Sequence, residues 1–291
     1  MFFPTDAAAI ATELSRGYFY LGAMEFKELG GTGVKVPEIG LGTWDYHGGA
    51  APIEKAVALG ACLIDTAEMY GTEEAVGGAI KGMREKVFVA TKVSGNHLRH
   101  EQVIAAAEAS LKRLAIETID LYQIHWPDPA VPIAETMGAM EKLVDQGKVR
   151  FIGVSNFYLK NLQEAEAALT RHRIAANQVK YSLLQRGIEE DTLAYCQKNR
   201  ITVIAYSPLA RGALSKPALL RNRRALTTLQ QVAAETGRTM AQVAINWCVA
   251  KPGVIAIPKT DKVERVAELC AASGWRLSPA QTAALERAFP P

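Results

Sequence analysis

Short apolar runs recur along the chain, and the segments between them repeat their apolar residues with the period of a helix. The runs lie at about residues 38–42, 61–65, 86–92, 118–124, 149–154, 175–179, 201–206 and 253–257. They do not alternate strictly between apolar and polar residues, which is typical of strands that are covered on both faces. Eight strands that alternate with helices in 291 residues predict an α/β protein with a closed (β/α)8 TIM barrel.

The segment ahead of the first barrel strand, MEFKELGGTGVKVPEIG, predicts a β-hairpin with GGTG as its turn. We expect this hairpin to close the bottom of the barrel. The competing architecture, an open doubly wound sheet that binds a dinucleotide, needs GxGxxG between its first strand and first helix. The comparable cluster here, GGTGVKV, breaks after its second Gly and runs into another strand pattern. This favours the barrel.

Two segments fall outside the repeat. Residues 1–23 precede the first predicted element and could form a disordered tail, a docked helix or the product of an upstream start. We therefore expect a single barrel domain over residues 24–291. After the seventh strand, the stretch from Ala210 to Arg224 is basic, irregular and longer than the other loops that follow strands.

Composition narrows the class of protein. The formal net charge is +3 and charges of both signs are interspersed, so nothing indicates nucleic-acid binding. No run approaches the roughly 20 apolar residues that cross a bilayer, and the N-terminus lacks the pattern of a signal peptide. Four separated cysteines without a CxxC pair favour a reducing compartment, so we expect a cytoplasmic protein. These are Cys62, Cys196, Cys248 and Cys270.

Four polar residues lie at or just beyond the ends of consecutive predicted strands. ACLIDTAEMY carries Asp65 and Tyr70, KVFVATK ends on Lys92, and IDLYQIHWP carries His125. Catalytic groups in such barrels lie at the carboxyl ends of the strands, so these side chains are expected to meet at one rim. Each alone has an ordinary explanation, such as a capping carboxylate or a packed ring. Together they predict an acid–base site.

This set of groups suits proton donation to an oxygen. A phenol is a weak acid at neutral pH, but a neighbouring ammonium favours the phenolate and lowers the pKa. We predict that Tyr70 is the acid, tuned by Lys92, which a salt bridge to Asp65 holds in place. His125 would orient or polarise a carbonyl oxygen. No metal is expected, because HExxH and Cys/His clusters with ligand spacing are absent from the sequence, as are GxSxG and the P-loop.

The later strand ends carry groups typical of a cofactor site. Tyr206 offers an aromatic platform on which a flat ring can stack. Neutral hydrogen-bonding groups suited to a carboxamide follow the fifth and sixth strands: Ser155, Asn156 and Gln178. A cationic pocket suited to a phosphate follows the eighth strand, near a helix N-terminus: Lys259, Thr260 and Arg265.

In this order and at this spacing, seven segments resemble those of the aldo-keto reductase superfamily, over nearly all of Glu25 to Pro291. They are GLGTW, IDTAEMYG, LYQIHWPDP, GVSNF, NQVKYSLLQR, AYSPLARGAL and IPKT followed by Arg265. The resemblance implies a catalytic tetrad of Asp65, Tyr70, Lys92 and His125, with Tyr70 as the acid in carbonyl reduction. It also implies NADPH as the cofactor, bound by Gly42, Thr43, Trp44, Ser155, Asn156, Gln178, Tyr206, Ser207, Leu209, Lys259, Thr260, Arg265 and Glu268.

The chain departs from many relatives in two places. Leu269 stands where many members have an Asn that contacts adenine, so that contact is in doubt. The chain also ends soon after LSPAQTAALERAF, which leaves little of the C-terminal loop that shapes the substrate pocket in many members. The resemblance therefore implies an open pocket, and an aromatic wall is expected from Trp44, Tyr46, Trp126 and Phe157.

The sequence thus predicts NADPH-dependent reduction of small aldehydes or ketones, with no nucleic-acid or membrane partner. Two alternatives stay open. The first is a non-catalytic NADPH-binding regulatory subunit, a role that some barrels of this family serve on membrane channels. The second is a lyase that uses Lys92 as a Schiff base, although such a lysine needs a depressed pKa and no strong carboxylate partner.

Overall fold

The computed structural model describes residues 24–219 and 222–291. The predicted N-terminal extension, residues 1–23, and two positions of the basic loop, Leu220 and Arg221, lie outside the described residues. An antiparallel hairpin opens the described part, formed by β1 (Phe26–Glu28) and β2 (Lys35–Pro37). Its turn contains the GGTG segment, as predicted.

Eight parallel strands follow, and each pairs with the next one along the chain. They are β3 (Leu41–Gly42), β4 (Leu63–Asp65), β5 (Phe88–Val93), β6 (Ile119–Ile124), β7 (Val149–Ser155), β8 (Ile174–Lys180), β9 (Thr202–Tyr206) and β10 (Val254–Ile257). Backbone hydrogen bonds join the first strand to the last. The Gly40 N–H donates to the Ala256 carbonyl at 2.9 Å, and the Gly42 N–H donates to that of Pro258 at 3.1 Å. The predicted (β/α)8 barrel is therefore confirmed, with all eight strands where the apolar runs placed them.

Helices cover the outside of the barrel in the described part of the chain. They are α1 (Ala51–Ala58), α2 (Glu73–Ile80), α3 (His100–Leu114), α4 (Ile133–Asp145), α5 (Leu159–Ala168), α6 (Thr192–Lys198), α7 (Arg223–Thr236), α8 (Met240–Val249), α9 (Val263–Cys270) and α10 (Pro279–Ala288). Several begin at local sequence signals: Thr239 and Ser278 accept hydrogen bonds from backbone N–H groups three residues later. None of the described helices is long and apolar enough to cross a membrane.

The hairpin closes the bottom of the barrel. Leu29 and Val36, from the hairpin, are fully buried against inward-facing residues of the strands, including Leu63, Leu121 and Ile204. At Gly30 the backbone has φ +55, and a Cβ there would lie 2.7 Å from the Ala175 carbonyl oxygen. Only glycine therefore allows the turn to approach the strand ends so closely.

A buried carboxylate fastens the hairpin to the barrel. Glu38 is fully buried and accepts hydrogen bonds from the Ser273 hydroxyl at 2.7 Å and from Arg276 at 2.7 and 3.1 Å. The Lys27 ammonium, on β1, lies 3.5 Å from the same carboxylate. Because Lys27 is itself largely buried, removing Glu38 would leave a cation without its counter-charge.

We expect Glu38→Ala to lower the free energy of unfolding by about 3 kcal/mol, because it leaves the largely buried Lys27 ammonium without its carboxylate partner. Urea unfolding followed by circular dichroism measures this change. Glu28→Ala, in the exposed pair with Arg200 on the same hairpin, is the matched control and should change stability by less than about 0.5 kcal/mol. Equal losses of stability in the two variants would contradict the stabilising role of the buried Glu38 carboxylate.

Candidate active site

The four predicted acid–base residues lie together at the carboxyl end of the barrel. Asp65 is the last residue of β4, Lys92 lies near the end of β5, and His125 directly follows β6. Tyr70 ends a short 3-10 turn, Glu68–Tyr70, that follows β4. The structure therefore brings together side chains separated by up to 60 positions in sequence because adjacent parallel strands end at the same rim.

Lys92 is fully buried and directs its ammonium at three oxygen atoms. Its Nζ lies 2.6 Å from Asp65 Oδ1, 2.8 Å from the Thr66 carbonyl oxygen and 3.4 Å from the Tyr70 hydroxyl. An ammonium has three N–H groups, so each has an acceptor. A buried cation is tolerated only when it is paired and hydrogen-bonded in this way. Lys92 is thus fixed beside the phenol.

The second carboxylate oxygen of Asp65 is held by two amides. Gln178 Nε2 donates to Asp65 Oδ2 at 2.7 Å, and Gln123 Nε2 lies 3.3 Å from the same oxygen. A Cβ on Gly153, the neighbour of Gln123 across the sheet, would lie 2.8 Å from Gln123 Cγ, so the glycine leaves room for this amide. Gln123 is a site residue that was not predicted from the sequence. Its signal was an amide inside the otherwise apolar run LYQIHW, since a buried amide needs partners.

Burial and charge act in opposite directions on Tyr70. Burial raises the pKa of the Tyr70 phenol above its ordinary value of 10.0, and the Lys92 ammonium opposes that rise. The sequence led us to expect the ammonium to lower the pKa, but in the structure desolvation outweighs it. Desolvation also disfavours the ammonium of Lys92, yet Asp65 and Tyr70 raise the pKa of Lys92. At neutral pH the phenol therefore keeps its proton and the amine keeps its charge.

His125 is neutral in this environment. Burial, with the Lys92 charge acting in the same direction, lowers the pKa of His125 from 6.5 to about 3. Its Nε2 lies 3.5 Å from the Tyr70 hydroxyl, and the two rings meet edge to face with centroids 5.4 Å apart. A neutral imidazole can donate one N–H without adding a positive charge to the site.

The residues predicted to bind a carboxamide form a connected set beside His125. Asn156, with φ +60, donates from Nδ2 to the His125 carbonyl at 3.0 Å and to Ser155 Oγ at 3.1 Å. Its Oδ1 accepts from the Tyr206 hydroxyl at 3.0 Å. Ser155 Oγ donates to the Gln178 backbone carbonyl at 2.9 Å. The half-buried ring of Tyr206 thus stands next to the amide and hydroxyl groups.

The chain after β9 makes a tight, strained turn. Ser207, Ala210 and Arg211 all have positive φ, between 48° and 56°, which is uncommon outside glycine. Leu209 packs its side chain against the core below this turn. The Arg211 guanidinium lies 5.5 Å from the centre of the Trp44 ring, so this turn meets the loop after β3.

The predicted phosphate-binding residues follow β10. Lys259 is half-buried, Thr260 is buried, and Arg265 lies exposed on α9. Glu268 is half-buried on the same helix. Leu269 is only 6% exposed and packs into the core, so this position faces away from any ligand on the outer surface of α9.

Gly42 and Thr43 link the first barrel strand to the acid–base residues. The Thr43 hydroxyl donates to the Asp65 backbone carbonyl at 2.9 Å and lies 3.1 Å from the Thr72 hydroxyl. Gly42 is buried beside Ile257, whose carbonyl oxygen would lie 3.0 Å from an added Cβ. Gly42 and Thr43 therefore lie next to Asp65 at the end of β3.

The aromatic wall predicted from the sequence is partly wrong. Trp44 and Trp126 are 55% and 49% exposed, and the Trp126 ring stacks on that of His125 with centroids 6.2 Å apart. Phe157, however, is fully buried in the core and cannot face a substrate, while Tyr46 is 5% exposed with its hydroxyl bonded to the Gly49 carbonyl. Two exposed side chains that we did not predict follow β4 and β7: Met69 and Tyr158.

The acid–base site is separate from a cavity of about 330 Å³ at the opposite end of the barrel. Hairpin and strand-start residues line that cavity, among them Lys27, Arg200 and Thr202, and it contains none of the four residues above. Among the described residues, no group of three or more His, Cys, Asp or Glu side chains is placed to hold a metal ion.

Comparison with known proteins gives consistent matches over almost the whole chain. The model of the aldo/keto reductase family matches residues 38–289. Methylglyoxal reductase YeaE from Escherichia coli K12 is 40% identical over 268 residues, which cover 88% of this chain and 92% of that protein.

Solved structures agree with the sequence matches. The thermostable aldo-keto reductase Tm1743, solved with the inhibitor epalrestat, superposes with a TM-score of 0.84 and 40% identity, covering 91% of this chain and 100% of its own. An aldo/keto reductase from Klebsiella pneumoniae, solved with NADP and acetate, gives a TM-score of 0.80 and 39% identity, covering 93% of this chain and 96% of its own.

The environment of His125 predicts a ring that does not titrate in the usual range. With a pKa of about 3, it should stay neutral between pH 5 and 8, whereas the same histidine in the urea-unfolded chain should titrate near 6.5. NMR of protein labelled with ¹⁵N-histidine measures this, with His125→Gln used to assign the signal.

The same shift has a consequence for acid stability. The unfolded chain takes up a proton at this position below pH 6.5 and the folded chain does not, so this group favours unfolding increasingly as the pH falls from 6.5 towards 3. A folded-state His125 signal that moved with a midpoint near pH 6.5 would show that the ring is not desolvated.

Proposed function

Because this chain belongs to the aldo/keto reductase family, we propose that it reduces aldehydes and ketones to alcohols with NADPH, and that Tyr70 is the general acid. As a member of that family the chain is an oxidoreductase, and carbonyl reduction is the general reaction that the family supports. The observation that carries the finer proposal is the buried Lys92 ammonium, which lies 3.4 Å from the Tyr70 hydroxyl and 2.6 Å from Asp65.

The acid step follows from the charges around Tyr70. The phenol is protonated at neutral pH because burial raises its pKa, so a proton is available for transfer to a substrate oxygen. As that proton leaves, negative charge develops on the phenol oxygen beside a fixed ammonium. Lys92 therefore stabilises the transition state more than the ground state, which is the condition for a higher rate.

The position of the substrate oxygen follows from the two groups that can donate to it. Tyr70 Oη and His125 Nε2 lie 3.5 Å apart, so one oxygen can accept from both at the mouth of the barrel. A neutral His125 polarises that oxygen by donating an N–H, without competing with Tyr70 as a stronger acid. Trp126, whose ring stacks on that of His125, adds exposed apolar surface beside this position, and Trp44 is exposed on the loop after β3.

The donor set on the other half of the rim fits a nicotinamide dinucleotide. It offers neutral amide and hydroxyl groups beside an aromatic ring at Ser155, Asn156 and Tyr206, and cations about one strand further on at Lys259 and Arg265. When bound, NADPH supplies the hydride that reaches the carbonyl carbon. The Klebsiella relative was solved with NADP, which supports the same cofactor here.

The substrate class follows from the same open mouth. The exposed rings of Trp44 and Trp126 favour small carbonyl compounds with apolar or aromatic groups. The Escherichia coli relative is named a methylglyoxal reductase, which supports dicarbonyls as further candidates. A Schiff-base lyase is disfavoured, because all three N–H groups of the Lys92 ammonium already have acceptors and its pKa is raised, whereas a Schiff base needs the free amine.

We expect Tyr70→Phe to lower kcat for carbonyl reduction by at least about 100-fold, because it removes the proton donor and leaves the ring in place. The measurement is NADPH oxidation, followed by absorbance, with aromatic aldehydes, methylglyoxal-like dicarbonyls and sugars. NADPH should still quench the fluorescence of the variant with an affinity within about threefold of wild type, since the phenol is not among the proposed cofactor ligands.

Tyr195→Phe is the matched control, because it removes a phenol oxygen that bonds to Glu166 on the helical layer, far from the rim. It should leave kcat unchanged. Tight NADPH binding by the wild-type protein without turnover of any carbonyl would instead favour a regulatory subunit. Full activity in Tyr70→Phe would falsify the assignment of the acid.

A further inference from the structure

A carboxylate lies within the group of residues proposed to hold the adenosine phosphate. Asp261 Oδ2 lies 2.5 Å from Lys259 Nζ, and its Oδ1 accepts a hydrogen bond from the His47 N–H at 2.9 Å. Lys259, the residue proposed to bind a phosphate, therefore already has an anionic partner in its own chain. Nothing in the family resemblance or in the matches assigns a role to Asp261.

Asp261 is held in this position from two sides. The loop of residues 46–49 packs onto it so closely that a Cβ on Gly48 would lie 2.9 Å from Asp261 Cα. Burial works against its charge, but the Lys259 ammonium and the His47 N–H hold the pKa of Asp261 below its ordinary value of 3.8. The carboxylate is therefore ionised at neutral pH and stays beside Lys259.

Arg265 differs from Lys259 in this respect. It lies exposed on α9, two residues after the helix begins, and takes part in none of the salt bridges formed within residues 24–219 and 222–291. Of the two cations proposed to bind the phosphate, Arg265 thus has no anionic partner among the described residues, whereas Lys259 is engaged. The two cations are not equivalent.

We infer that Asp261 reduces the preference for NADPH over NADH. Its carboxylate competes with the 2′-phosphate of NADPH for the Lys259 ammonium. The inference rests on the proposed NADPH-dependent function. A phosphate and a carboxylate are both anions, so they repel each other and compete for the same ammonium. A ribose hydroxyl carries no charge and can donate a hydrogen bond to a carboxylate, as acidic residues in other nicotinamide sites accept one from NADH.

The size of the effect follows from the exposure of the pair. The side chains of Lys259 and Asp261 are 29% and 35% exposed, so solvent screens their attraction. Pairs of this kind contribute up to about 1 kcal/mol, which corresponds to about fivefold in a dissociation constant. Replacing the carboxylate should therefore shift the affinity for NADPH by about two- to fivefold.

The experiment compares dissociation constants for NADPH and NADH by fluorescence titration in wild type, Asp261→Asn, Lys259→Ala and the double variant. Asparagine keeps the size of the side chain and an oxygen that can accept from the His47 N–H. Asp261→Asn should bind NADPH about two- to fivefold more tightly, while its affinity for NADH should stay within about 1.5-fold of wild type. The gain should disappear in the Lys259→Ala background, since the competition acts through that ammonium.

Asp45→Asn is the matched control, because it removes one negative charge from the loop after β3 that packs onto Asp261, at a side chain that pairs with His47 and not with Lys259. It should leave the ratio of the two dissociation constants unchanged. Weaker NADPH binding by Asp261→Asn, or a gain that persists without Lys259, would overturn the competition.

Failure of the inference and failure of the proposed function give different results. A wild-type protein that binds neither dinucleotide would overturn both. If the wild-type protein binds NADPH but Asp261→Asn leaves the ratio of the NADPH and NADH dissociation constants unchanged, only the role of Asp261 is overturned. Thermal unfolding of each variant shows whether a change in affinity reflects a change in the fold.

Discussion

The ion pair between Lys92 and Asp65 is the constraint on which the site depends. Both side chains are almost completely withdrawn from water, and an uncompensated charge in such a place costs several kcal/mol. The pair forms only because β4 and β5 are adjacent and in a register that pairs Asp65 with Ala90, two residues before Lys92. A slip of one residue would turn Lys92 to the helical side of the sheet. The chemistry at the rim is therefore tied to closure and register of the whole barrel.

One buried cation also sets the protonation of its neighbours. The Lys92 charge acts with burial to keep His125 neutral, and it acts against burial at Tyr70, where it is ready to stabilise a phenolate. Asp65 keeps that cation charged, and the amides of Gln123 and Gln178 occupy the other oxygen of Asp65. An acid, a neutral donor and a fixed charge thus arise in one small volume from a single ion pair and its hydrogen bonds.

The sequence predicted the periods of the strands and helices and the positions of the strand ends. It did not predict which way a side chain points once it lies beyond a strand end. The apolar runs located every barrel strand because both faces of these strands are covered, and this placed the four acid–base residues at one rim. Trp126 and Phe157 both follow strand ends, yet one lies on the mouth and the other in the core. Asn156 has φ +60 directly before the buried Phe157, and no pattern of residue types displays such a backbone conformation. The pKa of Tyr70 likewise depends on how deeply its phenol is buried, which only the folded chain defines.

Backbone strain separates the two halves of the rim. Among the described residues, the non-glycine positions with positive φ at the carboxyl face are Asp45, Asn156, Ser207, Ala210 and Arg211, and none lies on the loops after β4, β5 and β6 that carry the acid–base residues. Such conformations cost about 1 kcal/mol or more each and persist where the surrounding structure imposes them. The acid–base half is instead fixed by buried charge, which needs no unusual backbone. A site that binds a long, flexible dinucleotide gains from a backbone already bent to its shape, because less order has to be imposed on binding. The strain lies on the half of the rim that we propose binds the cofactor, which is what a preorganised binding site requires.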